Sequence, residues 1–171
     1  MAEPGSPAEE LVEQLDDAGN VIRVVPRGQM RSENLLHRNI VVVVRRTSGA
    51  IVVHKRADWK DINPSMWDLA FGGVPNVGES DRDAAVRELA EEAGLKVDPA
   101  DLTDLGAAEW TGDSLRWIGR IYEIVDDREI EAVDGEVVAI DEVQPLDLAD
   151  WFADVAVCPD SGGVLGPLLV P

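Results

Sequence analysis

Glu88, Glu91 and Glu92 occupy positions i, i+3 and i+4 of one continuous stretch. On a helix those spacings put three carboxylates along one edge, on neighbouring turns. In water such like charges repel by a few tenths of a kcal/mol per pair. A hard divalent cation reverses the sign, because carboxylate oxygens are its preferred ligands. Gly73, at the end of the preceding strand, leaves its backbone carbonyl accessible as a further oxygen ligand. A solvated acidic helix face would carry the same three glutamates. The segment around them separates the two readings.

That segment has to be a helix. Ser80 is placed as an N-cap, with Asp83 three residues on as its capping-box partner. Gly94 fits the left-handed position that closes a helix. Val86, Leu89, Ala90 and Ala93 recur at helical spacing and form the expected buried stripe, with the three glutamates on a second, well separated stripe. Upstream, Leu11–Val25 reads as a hairpin around an Asp-Asp-Ala-Gly-Asn turn. The polar stretch from Arg27 to Leu36 has room for a short helix. His37–Thr47 and Ala50–Ala57 read as strands joined at Ser48-Gly49, and the run from Ile40 to Val44 as a buried strand. Downstream, strands are expected near Asp104–Trp110, Leu115–Val125 and Val137–Ile140, and a short helix at Asp147–Ala153. The C-terminal tail reads as broken by glycine and proline. Strands on both sides of one strong helix predict a mixed α/β or α+β domain. Residues 1–8 read as a disordered leader and 9–171 as a single domain.

From Gly73 to Leu95 the chain fits G-x5-E-x7-R-E-U-x-E-E-x-G-U, where U is a bulky aliphatic residue. Gly73, Glu79, Arg87, Glu88, Leu89, Glu91, Glu92, Gly94 and Leu95 all match. Chance agreement at the single-residue places is on the order of one in 10⁸ per starting position. The segment resembles a complete Nudix box. The resemblance implies an α/β/α sandwich around a mixed sheet, with Mg²⁺ or Mn²⁺ bound at the box helix. It implies a substrate in which a nucleoside diphosphate is linked to another group. Carried onto this chain, Glu88, Glu91 and Glu92 become the metal ligands, assisted by the Gly73 carbonyl. Arg87 and Glu79 become the pair that fixes helix against loop. A bound cation cancels phosphate charge, polarises the P–O bond and acidifies a bound water. A carboxylate then takes the proton, either Glu88 or Glu136 in the later DGEV loop.

Outside the box, Leu35–Val44, HKRADWK, PSMWDLAFGG and DLADWF resemble the isopentenyl-diphosphate-isomerase-like branch of the same family. An isomerase would need a Cys-Gly-His-Pro run before the helix. Here Gly72 and Val74 replace the cysteine and the histidine. His37 then reads as part of the scaffold. The competing readings are isomerase-like activity and a nucleotide-binding module without turnover.

The net charge of −19 predicts no duplex nucleic-acid partner and no anionic membrane surface. It also means that a diphosphate needs a cation or a local basic patch. Lys55, Arg56, Arg116 and Arg120 are the candidate phosphate contacts. Trp59 and Trp117 are candidates to stack a base, while Trp67 and Trp151 read as core. The lone Cys158 permits no internal disulfide, and no apolar run is long enough to span a bilayer. A cytoplasmic enzyme with a small-molecule nucleotide substrate is expected, and the resemblance adds a homodimer.

Overall fold

The strand most buried in the sequence pattern is the one from which the sheet radiates. A computed structural model describes residues 7–171. The expected hairpin is made by β1 (Leu11–Leu15) and β2 (Val21–Pro26). Asp16 tightens its turn by accepting the backbone N–H groups of Ala18 and Asn20 at 3.0 and 2.8 Å. Next come helix α1 (Arg27–Ser32), strands β3 (His37–Arg45), β4 (Ile51–Arg56), β5 (Trp67–Asp68) and β6 (Phe71–Gly73), and helix α2 (Asp81–Ala93). Strands β7 (Thr103–Thr111), β8 (Arg116–Val125) and β9 (Val137–Val143) follow, and helices α3 (Leu148–Asp154) and α4 (Pro159–Leu169) close the chain.

All nine strands join one sheet. β3 runs parallel to β8, in register from His37 opposite Trp117 to Arg45 opposite Val125. It also runs antiparallel to β6, from Ile40 opposite Gly73 to Val42 opposite Phe71. The other pairings are antiparallel, so the sheet is mixed. Alternation along β3 explains the unbroken apolar run. Ile40, Val42 and Val44 face one core with Ala84, Ala85, Leu89 and Ala93 of α2. Val41 and Val43 face the other, with Leu148 of α3 and Leu165 and Leu169 of α4. A strand covered on both faces has no polar side to show. The result is the expected α/β/α sandwich.

Three expectations change. Pro7 and Ala8 sit in a 3₁₀ turn, Pro7–Glu9, rather than a disordered leader, and residues 1–6 lie outside the described residues. The tail is helical from Pro159, whose ring suits a first helical turn. Its glycines serve close packing: a Cβ at Gly163 would lie 2.5 Å from the Trp110 ring. Finally, the stripes of α2 are not well separated. Glu88 and Glu92 are themselves buried, while Val86 and Ala90 are only half-buried. No helix among the described residues is long and apolar enough to cross a membrane.

At Gly119, β8 leaves no room for a side chain beside β3. A Cβ there would lie 1.9 Å from the Asn39 carbonyl oxygen, a backbone atom that cannot swing aside. Gly119→Ala is therefore expected to cost about 3 kcal/mol, as an overpacked core site does. Thermal unfolding should show it as a Tm drop of roughly 6–12 °C. An unchanged Tm would mean that the β3–β8 pairing can open at this point.

Candidate active site

Strand β6 delivers the chain to Gly73, a loop follows, and α2 begins at Asp81. The helix start is fixed by Ser80, whose hydroxyl accepts the Asp83 N–H at 3.2 Å and donates to the Asp83 carboxylate at 2.7 Å. Its end is fixed by Gly94 at φ 68°. Loop and helix are tied together through Arg87. Its Nε and Nη2 donate to the two Glu79 oxygens at 3.0 and 2.9 Å. Glu79 in turn accepts the Asn76 N–H at 2.8 Å. The Arg87 hydrogen bond, ahead of all other influences, holds the Glu79 carboxyl below its ordinary range. The same guanidinium donates through Nη1 to Glu88 at 2.8 Å and Glu91 at 3.1 Å.

The two buried glutamates face the end of β6. Glu92 accepts the Gly72 N–H at 3.0 Å, its one hydrogen bond among the described residues. Burial pushes its carboxyl well above the usual range, and the neighbouring Glu88 pushes in the same direction. Burial also raises Glu88, against the pull of Arg87. Glu88 lies so close to the strand end that a Cβ on Gly73 would meet its carboxylate at 2.7–3.0 Å. Gly72 has φ 152°, and a Cβ there would lie 2.0 Å from the Ile40 carbonyl oxygen. Gly72 is therefore dictated by a backbone contact, whereas a side chain at Gly73 would push the Glu88 carboxylate from its place.

These residues fit a hard divalent cation. Glu92 is buried beside a second acid, and no arginine or lysine among the described residues bonds to it. A charge in that setting asks for a cation. The carboxylates do not yet converge: among the described residues no three His, Cys, Asp or Glu side chains form a ready cage. Arg87 instead holds Glu88 and Glu91. Glu88, Glu91, Glu92 and the Gly73 carbonyl would be the ligands, all of them oxygens, as Mg²⁺ and Mn²⁺ prefer.

The α2 glutamates form one wall of a cleft of about 660 Å³, which also admits Gly73, Arg56, Trp59 and Glu136. Glu136 is ion-paired to Lys60. Trp59 is 62% exposed at the rim. The other expected contacts lie elsewhere. Lys55 does not line the cleft, although Arg56 beside it on β4 does. Arg116 pairs with Asp17 at 3.7 Å and Arg120 with Asp104 at 2.8 Å, and neither lines the cleft. Trp117 is 1% exposed, its indole N–H donating to Asp160 at 3.2 Å, so it is a core residue and no stacking platform. Trp67 and Trp151 do pack on the second core, edge to face with each other at 5.8 Å. His37 lines the cleft, with its Nδ1 3.0 Å from the Leu35 carbonyl oxygen. Burial pushes its pKa down to about 4, which keeps the ring neutral. Arg27, Arg31, Lys60 and Asp68 also line the cleft and were missed in the sequence reading. The signal for the first two was available, since Arg27 and Arg31 are four apart on one short helix.

Known proteins share both sequence and fold with this chain. Residues 35–157 match the NUDIX domain family. A Nudix hydrolase of Pseudomonas aeruginosa, itself uncharacterised, is 27% identical over 94% of this chain and 94% of its own length. A crystal structure from Deinococcus radiodurans superposes with a TM-score of 0.76 at 22% identity, covering 94% of this chain and 97% of that one. A bifunctional NMN adenylyltransferase/ADP ribose pyrophosphatase of Francisella tularensis, complexed with AMP and a manganese ion, gives a TM-score of 0.60 at 19% identity, over 77% of this chain and 40% of that one. At such identities the two structures speak for the fold alone. The sequence match spans the box and most of the sheet, and by it this chain belongs to the Nudix family.

Proposed function

We propose that the chain hydrolyses a phosphoric anhydride bond in nucleoside 5′-di- or triphosphates or related nucleoside diphosphate derivatives, with Mg²⁺ or Mn²⁺ as cofactor. The observation that carries this reading is the buried pair Glu88 and Glu92 on the wall of an open cleft. Two carboxylates taken out of water without a bonded base at Glu92 are costly for a scaffold and useful for holding a cation. The Francisella enzyme, with its AMP and manganese, supports a nucleotide over another diphosphate.

When bound, the cation would neutralise phosphate charge and supply an acidified water. The chain's own residues do the rest. Glu79 and Arg87 lock the loop to α2, so the glutamates keep their place relative to Gly73. Glu88 takes the proton of the attacking water. Burial raises its proton affinity, and Arg87 keeps the rise in check. Glu136, already paired with Lys60, orders the far wall of the cleft. Arg56 offers a guanidinium for a phosphate oxygen, and the exposed Trp59 offers a face for a base. The isomerase reading finds no support at Gly72, where the backbone admits no side chain and hence no cysteine acid.

Product release from a panel of nucleoside di- and triphosphates with Mg²⁺ or Mn²⁺ tests the activity. Glu88→Gln is expected to lower the rate roughly 10²–10⁴-fold, the range of a lost general base. Glu136→Gln should cost much less. The reverse ranking would move the base to Glu136, and no turnover of any nucleotide by the wild type would end the proposal.

Glu92→Gln probes the buried charge. The folded chain holds the Glu92 proton more tightly than the unfolded chain does. Without metal, wild-type stability therefore falls as pH rises above the ordinary carboxylate range. Glutamine keeps an acceptor for the Gly72 N–H and removes that cost. Metal-free Glu92→Gln should melt higher than wild type at pH 8, by roughly 2–4 °C per kcal/mol recovered, with the gap closing toward pH 4. It should also lose the Tm rise that Mn²⁺ gives the wild type. A variant that melts lower at pH 8 and still responds to Mn²⁺ would show that Glu92 is structural.

A further inference from the structure

The cleft has a second wall, built by α1 and the loop after β4, and the basic side chains around the whole cleft differ in how well they are paired. Lys60 is bound to Glu136, and Arg87 to Glu79, Glu88 and Glu91. Arg27 donates to Glu10 at 3.0 Å. Arg56 donates through Nε and Nη2 to the Ile62 carbonyl at 3.2 and 3.0 Å. Arg31 alone among these five is left short. Its Nε and Nη1 are shielded from water and donate to nothing. Its nearest acid, Asp61, stands 3.5 Å from Nε, beyond a good hydrogen bond, and the Asp61 side chain is 63% exposed. Burial lowers its pKa to about 10, with repulsion from Arg27 and Arg56 adding to the fall and Asp61 and Asp160 opposing it. A guanidinium kept half-buried and under-paired beside two others is expensive in a chain of net charge −19, which could have supplied a better partner. The missing partner is an anion that arrives with the substrate.

We propose that Arg31, flanked by Arg27 and Arg56, receives the terminal phosphate of the substrate, which displaces the Asp61 carboxylate from the guanidinium edge. This rests on the reading of the α2 wall as the metal-bearing wall, and it narrows the substrate. A phosphate monoester end carries more charge than a linked phosphate and presents three oxygens to a planar fork of donors. Nucleoside di- and triphosphates provide such an end. A diphosphate capped on both sides by sugars does not, and would leave Arg31 as under-paired as before.

Steady-state kinetics with a nucleoside diphosphate, a nucleoside triphosphate and ADP-ribose, for wild type, Arg31→Gln and Arg31→Lys, test the assignment. Arg31→Gln is expected to raise KM for the uncapped nucleotides roughly tenfold to a hundredfold, as loss of a charge-assisted contact does. Its kcat should stay within about threefold, and its KM for ADP-ribose should not move. Arg31→Lys, which keeps the charge and loses the fork, should fall between. Metal-free Tm of Arg31→Gln should equal or exceed that of wild type, and its Mn²⁺ response should persist. An equal KM change for capped and uncapped substrates overturns the proposal, as does a lower Tm with KM unaltered. If the wild type turns over no nucleotide, the catalytic reading fails separately. The subsite is then read from the Tm shift that tripolyphosphate gives in the presence of Mg²⁺, which Arg31→Gln should lose. A shift retained in the variant sinks the subsite.

Discussion

The site depends on one constraint: two carboxylates are held out of water against the end of a strand. Glu92 rests on the Gly72 N–H, and Glu88 lies where any side chain on Gly73 would collide with it. Everything nearby serves that placement. Gly72 and Gly73 lack side chains so that backbone and carboxylate can meet. Ser80 and Gly94 fix where α2 starts and stops. Arg87 reaches back across the loop to Glu79 and forward to Glu88 and Glu91, so a single guanidinium sets the spacing of three acids. The unfavourable electrostatics are thus local, and the two cores on either face of the sheet carry the cost.

The cleft joins two opposite solutions to the burial of charge. On the α2 wall, acids crowd together and lack a cation at Glu92. On the α1 wall, Arg31 is shielded and lacks an anion. On the function proposed above, a metal-bound polyphosphate would answer both deficits at once, because it would bring positive charge to one wall and negative charge to the other. Neither wall needs to be stable alone at its best, which is a common arrangement where a scaffold gives up local stability for binding.

Much of this was legible in the residues, and the reasons are uneven. The box helix was readable because its cap, its stop and its carboxylate spacing are all local. The central strand was readable because five aliphatic residues in a row suit a strand covered on both faces. The burial of Glu88 and Glu92 was not readable, since helical periodicity assigns charges to the solvent side and only the approach of β6 overrides it. Helix α4 was hidden by glycines that make room for the rings of Trp110 and Phe152, a contact set by tertiary packing. Trp117 was a candidate to stack a base because nothing in its neighbours announces Asp160 as its partner. Arg116 and Arg120 share a strand face as spacing requires, yet that face turns them toward Asp17 and Asp104. The α1 arginines were within reach, since four-residue spacing on a helix was visible, but nothing in the sequence says which wall α1 would build.

The parallel union of β3 with β8 has a consequence for the order of assembly. A ribosome releases β3 long before β8 exists, and every residue from His37 to Arg45 finds its parallel neighbour only in that later strand. Until then a ribbon of five aliphatic side chains has one open hydrogen-bonding edge. Such a segment is prone to pair with other chains, and long-range partners are slow to arrive. The antiparallel contact from β6, only about thirty residues away in the chain, covers the middle of the opposite edge of β3 in the interval. The same short strand that seats the glutamates thus closes one edge of the central strand early and leaves the other to β8.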